Sequence, residues 1–185
     1  MLKIENLKKN GEVLITQEEV DALFNAVRET KGNIAEVGMF EGGSSQVICE
    51  AKGDRNFYGF ETFEGIPMVL HAWRLGRFKS DEEFVRNRLS KYKNVFIHKG
   101  IFPETADVIK DKKFGLVHLD VDTYQYNNLA LDFFFPRMEK SGQIVIHDYP
   151  NIRDIQRSVD EFISKNKDVE LVITSPQQCK IRCKN

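Results

Sequence analysis

Five short apolar runs in this chain each lead into residues able to do chemistry. Ile34–Val37 carries Glu36 and runs into Gly38. Phe57–Phe60 is followed by Glu61 and Thr62, and Asn94–His98 by Lys99 and Gly100. Phe114–Leu119 leads to Asp120-Val-Asp122, and Gln143–Ile146 to His147-Asp148. Carboxylates at this density are hard oxygen ligands of the kind Mg²⁺ or Ca²⁺ takes. Asp120, His147 and Asp148 are therefore candidate metal ligands, and the alternative is ion pairing of the acids with lysines such as Lys99. His147 stands where a third carboxylate could. As a ligand it would move metal preference toward Mn, Fe or Zn. As a free imidazole it would be a general base near neutral pH; the plain alternative is a buried ring satisfied by the backbone. Asp122 and His71 are the other candidate bases. His71 sits among Trp73, Arg74, Arg77 and Phe78, an aromatic and basic stretch that reads as a lid or binding loop, or else as a loop folded over the core. His98 and His118 fall inside strands and are read as structural.

The turn after the first run is Gly38-Met-Phe-Glu-Gly42-Gly43-Ser44-Ser45. Glycine lets a ligand approach the backbone, and the helix that follows offers free N–H groups at its start. The pattern is E-x-G-x-x-x-G, and the dinucleotide fingerprint G-x-G-x-x-G is missing. An acidic strand end over such a turn suits a ligand with a cationic amine and no pyrophosphate, such as S-adenosyl-L-methionine. Glu61, closing the second run, stands where an acid accepts from ribose hydroxyls.

These strand ends need elements to position them. Thr16-Gln-Glu-Glu19 is a capping box, followed by Val20, Leu23, Phe24 and Val27 at helical spacing and by a stop at Gly32. Further helices are predicted over about 43–51, from a second capping box at Ser80–Glu83 to Tyr92, over Pro103–Lys110, over Tyr124–Lys140 with an interruption near Pro136, and over Ile152–Lys165. Strands are expected over Asn33–Val37, Phe57–Phe60, Asn94–His98, Phe114–Leu119, Gln143–Ile146, Val169–Thr174 and Cys179–Lys184, with a further short one at Val13–Ile15. Strand alternating with helix predicts an α/β class: a Rossmann-like, doubly wound, mostly parallel seven-stranded sheet with an antiparallel last strand. The strand ends of such a sheet line one crevice, where ligands bind.

At 185 residues, 41% apolar and 30% charged, the chain fits one soluble domain over residues 1–185. A net charge of −1 leaves no basic footprint for nucleic acid. No apolar run is long enough for a bilayer, and the N-terminus has no signal-peptide core, so a cytoplasmic protein without membrane partners is expected. Cys49, Cys179 and Cys183 are read as free thiols.

Taken together, the blocks resemble a known family. Glu36-Val-Gly38-Met-Phe-Glu-Gly42-Gly43-Ser44 resembles the first motif of class I methyltransferases of the macrocin O-methyltransferase (TylF/MycF) type. Phe60-Glu-Thr-Phe-Glu-Gly-Ile-Pro67 is similar to the second motif and Lys99-Gly-Ile-Phe-Pro-Glu-Thr105 to the third. Leu119-Asp-Val-Asp122-Thr-Tyr124 and His147-Asp-Tyr149 are similar to the fourth and fifth. The blocks run from about Thr16 to the end. The resemblance implies S-adenosyl-L-methionine held by Glu36, Gly38, Ser44, Ser45, Glu61, Thr62, Gly100, Ile101, Phe102 and Asp120. It implies a divalent metal, usually Mg²⁺, on Asp120 and the pair after the fifth strand, with Asp122 where the general base lies. The implied reaction is methyl transfer to a hydroxyl of a sugar or related small-molecule or glycan acceptor. The implied assembly is a homodimer or larger. The chain departs from the family pattern in having His147 in the acidic pair and Glu61 where Asp is usual. Without a long N-terminal lid, the acceptor pocket is expected to be open or completed by a partner subunit.

Overall fold

The computed structural model describes residues 2–67 and 75–183. Helix α1 (Ile4–Lys8) precedes α2 (Gln17–Glu29), whose N-terminus is the expected capping box: Thr16 accepts from the Glu19 N–H and Glu19 from the Thr16 N–H. Then come β1 (Asn33–Val37), α3 (Gly43–Ala51), β2 (Phe57–Glu61), α4 (Glu82–Leu89), β3 (Val95–Lys99) and β4 (Phe114–Leu119). The chain continues through α5 (Tyr124–Phe134), β5 (Met138–His147), α6 (Arg153–Lys165), β6 (Val169–Ser175) and β7 (Gln178–Cys183).

The strands form one sheet in the order β3-β2-β1-β4-β5-β7-β6. Neighbours from β3 to β5 pair in parallel, and β7 runs antiparallel to both β5 and β6. The order reverses direction between β1 and β4, so a crevice opens beyond their carboxyl ends. Alternate strand residues serve opposite faces. Ile34, Phe57, Leu116 and Val145 pack with α2, α3 and α4. Ala35, Val37, Tyr58, Phe60, Val117, Leu119, Ile144 and Ile146 pack with α5 and α6. Every residue of β2 and β4 is buried, as expected for parallel strands covered on both faces.

Several boundaries differ from the sequence expectation. Val13–Ile15 forms no strand; Val13 and Ile15 are buried against the α2–α3 face instead. The second helix cap is Asp81, not Ser80, because the Asp81 carboxylate accepts from the Phe84 N–H. The helix beginning at Tyr124 stops at Phe134 rather than Lys140. Pro136 sits in a 3-10 turn (Phe135–Arg137), and β5 begins at once at Met138. The segment after Pro103 makes one 3-10 turn, Ala106–Ile109. Cys49 and Cys179 are buried free thiols. Among the described residues no helix is long and apolar enough to cross a membrane.

Candidate active site

A cavity of about 250 Å³ opens at the carboxyl ends of β1, β2, β4 and β5. Its floor is backbone. The Gly38 N–H donates to the Phe60 carbonyl, and the Asp120 N–H to the Val37 carbonyl. Gly38 has φ +86°, and a Cβ there would lie 1.8 Å from the Asp120 carbonyl oxygen. Only glycine lets the two strand ends meet this closely. Phe40, Phe63, Asp122 and Asp148, all just past strand ends, also have positive φ. Residues in that region store strain, and they concentrate at ligand sites.

One wall is apolar: Phe60, Ile66, Ile101 and Phe102, with Phe40 and Phe78 in edge-to-face contact at 5.7 Å. The Arg77 guanidinium lies 4.7 Å over the Phe78 ring. The other wall is polar, formed by Asp120, Asp122, His147, Asp148, Tyr126 and Gln177. An apolar wall facing an acidic one suits a cationic ligand with a flat ring.

Glu61 lines the cavity while holding the first turn in place. Its carboxylate accepts from the N–H groups of Met39 (2.7 Å), Phe40 (2.8 Å) and Phe63 (3.1 Å). The Thr62 hydroxyl lies 3.1 Å from Glu61 Oε1 and 2.9 Å from the Gly65 carbonyl. A hydroxyl has one proton, so donation to Gly65 leaves one acceptor position on Glu61 for a ligand.

Three predicted cofactor contacts lie elsewhere. Glu36, Ser44 and Ser45 are buried and do not line the cavity. Glu36 shares a face of the sheet with Ile34, pointing toward α3. Its carboxylate accepts from the Ser45 hydroxyl and lies 2.9 Å from Nδ1 of His118, its register partner on β4. The pleat and the packing of α3 thus turn this acid away from the cavity. Lys99, considered as a partner for the aspartates, lies 3.4 Å from Glu82. His71, Trp73 and Arg74 fall outside the described residues.

The acids after β4 and β5 do converge. His147 Nδ1 lies 3.4 Å from Asp120 and 3.3 Å from Asp148, and its Nε2 lies 3.6 Å from Glu19. These are ion-pair separations, and neither ring nitrogen makes a well-formed hydrogen bond. Burial opposes charge on His147, but the three carboxylates outweigh it and hold the imidazole protonated. Burial likewise opposes ionisation of Asp120, and His147 reverses the balance, leaving Asp120 below its usual range. Asp122 has the opposite fate. Burial, then the charges of Asp120 and Asp148, push its carboxyl up to about 8.

The donor set fits a divalent ion. Ligand atoms of Asp120, His147 and Asp148 lie within 4.8 Å of one another, and the buried imidazole nitrogen between the two carboxylates lacks a hydrogen-bond partner. Glu19 was legible in the sequence only as a helix cap. Phe40 and Phe78 were visible as residues of loops, with no local signal that they would meet.

Residues 11–177 match the family model described as macrocin-O-methyltransferase (TylF). A relative from Streptomyces olivaceus, the 8-demethyl-8-(2,3-dimethoxy-alpha-L-rhamnosyl)-tetracenomycin-C 4'-O-methyltransferase, is 28% identical over 139 residues, 64% of this chain and 53% of its own. The chain thus spans about half the length of that relative. The demethyldecarbamoylnovobiocin O-methyltransferase of Streptomyces niveus is 22% identical over 191 residues, 89% of this chain and 72% of its own. Among solved structures, the O-methyltransferase NovP superposes with a TM-score of 0.82 at 19% identity, covering 99% of this chain and 89% of NovP. The calicheamicin methyltransferase CalS11 gives a TM-score of 0.72 at 18% identity, covering 97% and 90%. At these identities the superpositions establish the shared fold. The family match takes in every strand end that lines the cavity, from the turn at Gly38 to the acids after β5, and by it the chain belongs to the macrocin-O-methyltransferase (TylF) family.

Proposed function

We propose that residues 1–185 act as one S-adenosyl-L-methionine-dependent O-methyltransferase domain. The acceptor is a hydroxyl on a glycan or on a sugar-bearing small molecule, the latter being the kind of substrate named for the Streptomyces olivaceus relative. The observation that carries this reading is the convergence of Asp120, Asp122, His147 and Asp148 on one cavity floored by Gly38 and walled by Phe60, Ile101 and Phe102. Gly38, Glu61, Thr62, Gly100, Ile101, Phe102 and Asp120 would hold the cofactor, which supplies a methyl group on a sulfonium. Bound there, it would supply its methyl carbon to the acceptor oxygen, with the C–S electron pair kept by sulfur. Bringing oxygen and methyl into line is chiefly a positioning task.

The hydroxyl proton passes to Asp122. In the metal-free chain its carboxyl is raised to about 8 by burial and by the charges of Asp120 and Asp148, nearer to working pH than an ordinary aspartate. Both nitrogens of His147 face carboxylates, so its ring has no lone pair directed at an acceptor. Asp120, His147 and Asp148 would hold a divalent metal, which supplies Lewis-acid polarisation of the acceptor oxygen.

The test is calorimetry with S-adenosyl-L-methionine, followed by turnover assays on rhamnosides, other glycosides and nucleotide sugars, reading S-adenosylhomocysteine. Binding with turnover on a hydroxylated sugar is the expected result. Absence of cofactor binding overturns the reading, and binding without turnover on any acceptor class reduces the chain to a binding module.

A further inference from the structure

His147 is 9% exposed, and both of its ring nitrogens are buried without a hydrogen-bond partner. Charge-assisted N–H···O bonds close to about 2.7–2.9 Å. The Nδ1 separations here are 3.4 Å to Asp120 and 3.3 Å to Asp148. Neighbouring ligands on a tetrahedral ion bound at about 2.0–2.1 Å lie about 3.3–3.4 Å apart. Both Nδ1 separations have that length, and the three ligand atoms lie within 4.8 Å of one another.

The far side of the ring carries a second feature. Nε2 faces Glu19 Oε1 at 3.6 Å. Glu19 is 1% exposed and held from two directions: the Thr16 N–H donates to Oε2 at 2.7 Å, and the Ser175 hydroxyl donates to Oε1 at 3.2 Å. A carboxylate fixed behind a histidine keeps the proton on the remote nitrogen and directs the other lone pair at a metal. Here that keeps the Nε2 proton toward Glu19, so an incoming ion displaces the Nδ1 proton and meets that nitrogen between Asp120 and Asp148.

Building on the proposed methyltransferase reading, we propose that Glu19 is a positioning residue that presents His147 as an Nδ1 ligand. The Asp120–His147–Asp148 site thereby selects a first-row transition ion of the Mn²⁺, Fe²⁺, Co²⁺ or Zn²⁺ class over Mg²⁺. Imidazole suits those ions, whereas Mg²⁺ is bound through oxygen.

The test uses the full chain stripped with chelator and titrated calorimetrically with Co²⁺, Zn²⁺, Mn²⁺ and Mg²⁺ in the absence of acceptor. The transition ions should bind at least about 10-fold more tightly than Mg²⁺. His147→Asp should narrow the gap by at least about 10-fold, raising Mg²⁺ affinity relative to Co²⁺. Glu19→Gln should weaken Co²⁺ about 10- to 100-fold, with melting curves recorded to confirm folding. If loss of the cap unfolds that variant, the His147→Asp exchange decides alone. Equal affinity for Mg²⁺, no metal binding by the folded chain, or an unchanged Co²⁺-to-Mg²⁺ affinity ratio in His147→Asp overturns the proposal. Cofactor titrations in the same buffers keep the two readings apart. Cofactor binding without ion selectivity sinks only the metal assignment, whereas absence of cofactor binding sinks the methyltransferase reading.

Discussion

Two carboxylate–imidazole clusters lie a few residues apart at the same edge of the sheet, and they differ in every respect that matters. Beneath the first turn, Glu36 and His118 are fully buried, 2.9 Å apart, with Ser45 completing the carboxylate's shell. At the cavity, His147 faces three carboxylates at 3.3–3.6 Å and hydrogen-bonds to none. The first arrangement is sealed and ties β1, β4 and α3 together. The second is open on one side and has unused donor capacity. Residue type and strand-end position are alike in the two. What separates structure from site is that Glu36 and His118 hydrogen-bond each other away from the cavity, leaving only His118 Nε2 without a partner, whereas at the cavity both ring nitrogens of His147 lack one.

Substitutions can break that contrast. The largest expected effect is Asp122→Asn. Removing the proposed base should lower turnover by about 10²–10⁴-fold, with little change in melting temperature or cofactor affinity. Near-normal turnover would return the base role to another group, His71 included. Gly38→Ala should damage both regions at once. Its Cβ would meet the Asp120 carbonyl at 1.8 Å, so the β1 and β4 ends must separate. A loss above about 3 kcal/mol is expected for strain of this kind, read by denaturant unfolding together with weakened cofactor binding.

Glu36→Gln probes the sealed cluster. Replacing a buried acceptor that His118 and Ser45 share should cost about 1–3 kcal/mol, seen as a lower melting temperature. Cofactor affinity of the folded protein should stay within a fewfold. A large selective loss of affinity would restore the cofactor role that strand-end position suggests for Glu36. The smallest effect is expected for Phe78→Ala. The edge-to-face contact with Phe40 is worth about 0.5–1.5 kcal/mol, so denaturant unfolding should show a stability loss of about that size.

Much of the scaffold was legible because its causes are local. The Thr16–Glu19 capping box starts α2 where the residue types require. The apolar runs of β1, β2 and β4 occupy the residues expected for buried parallel strands. Boundaries failed where two local signals competed. The run from Tyr124 has Leu129-Ala-Leu131 before Pro136 and Arg137-Met-Glu-Lys140 after it, but Pro136 cannot donate to a helical hydrogen bond, and β4 recruits Met138 as a partner for Phe114.

What the amino-acid order determines by itself is the sequence of elements and the kind of chemistry each strand end carries, because caps, periodicity and turn residues act over a few positions. Only the tertiary structure decided which acids look into the cavity. Period-two alternation sorts strand residues into two faces without saying which face a given loop will leave open. Glu36 and Glu61 both lie at strand ends, yet α3 packs over one and the crevice lies beside the other. The pairing of Glu19 with His147 joins a helix cap to a strand end far along the chain, and such a contact exists only once the sheet has brought β5 against α2.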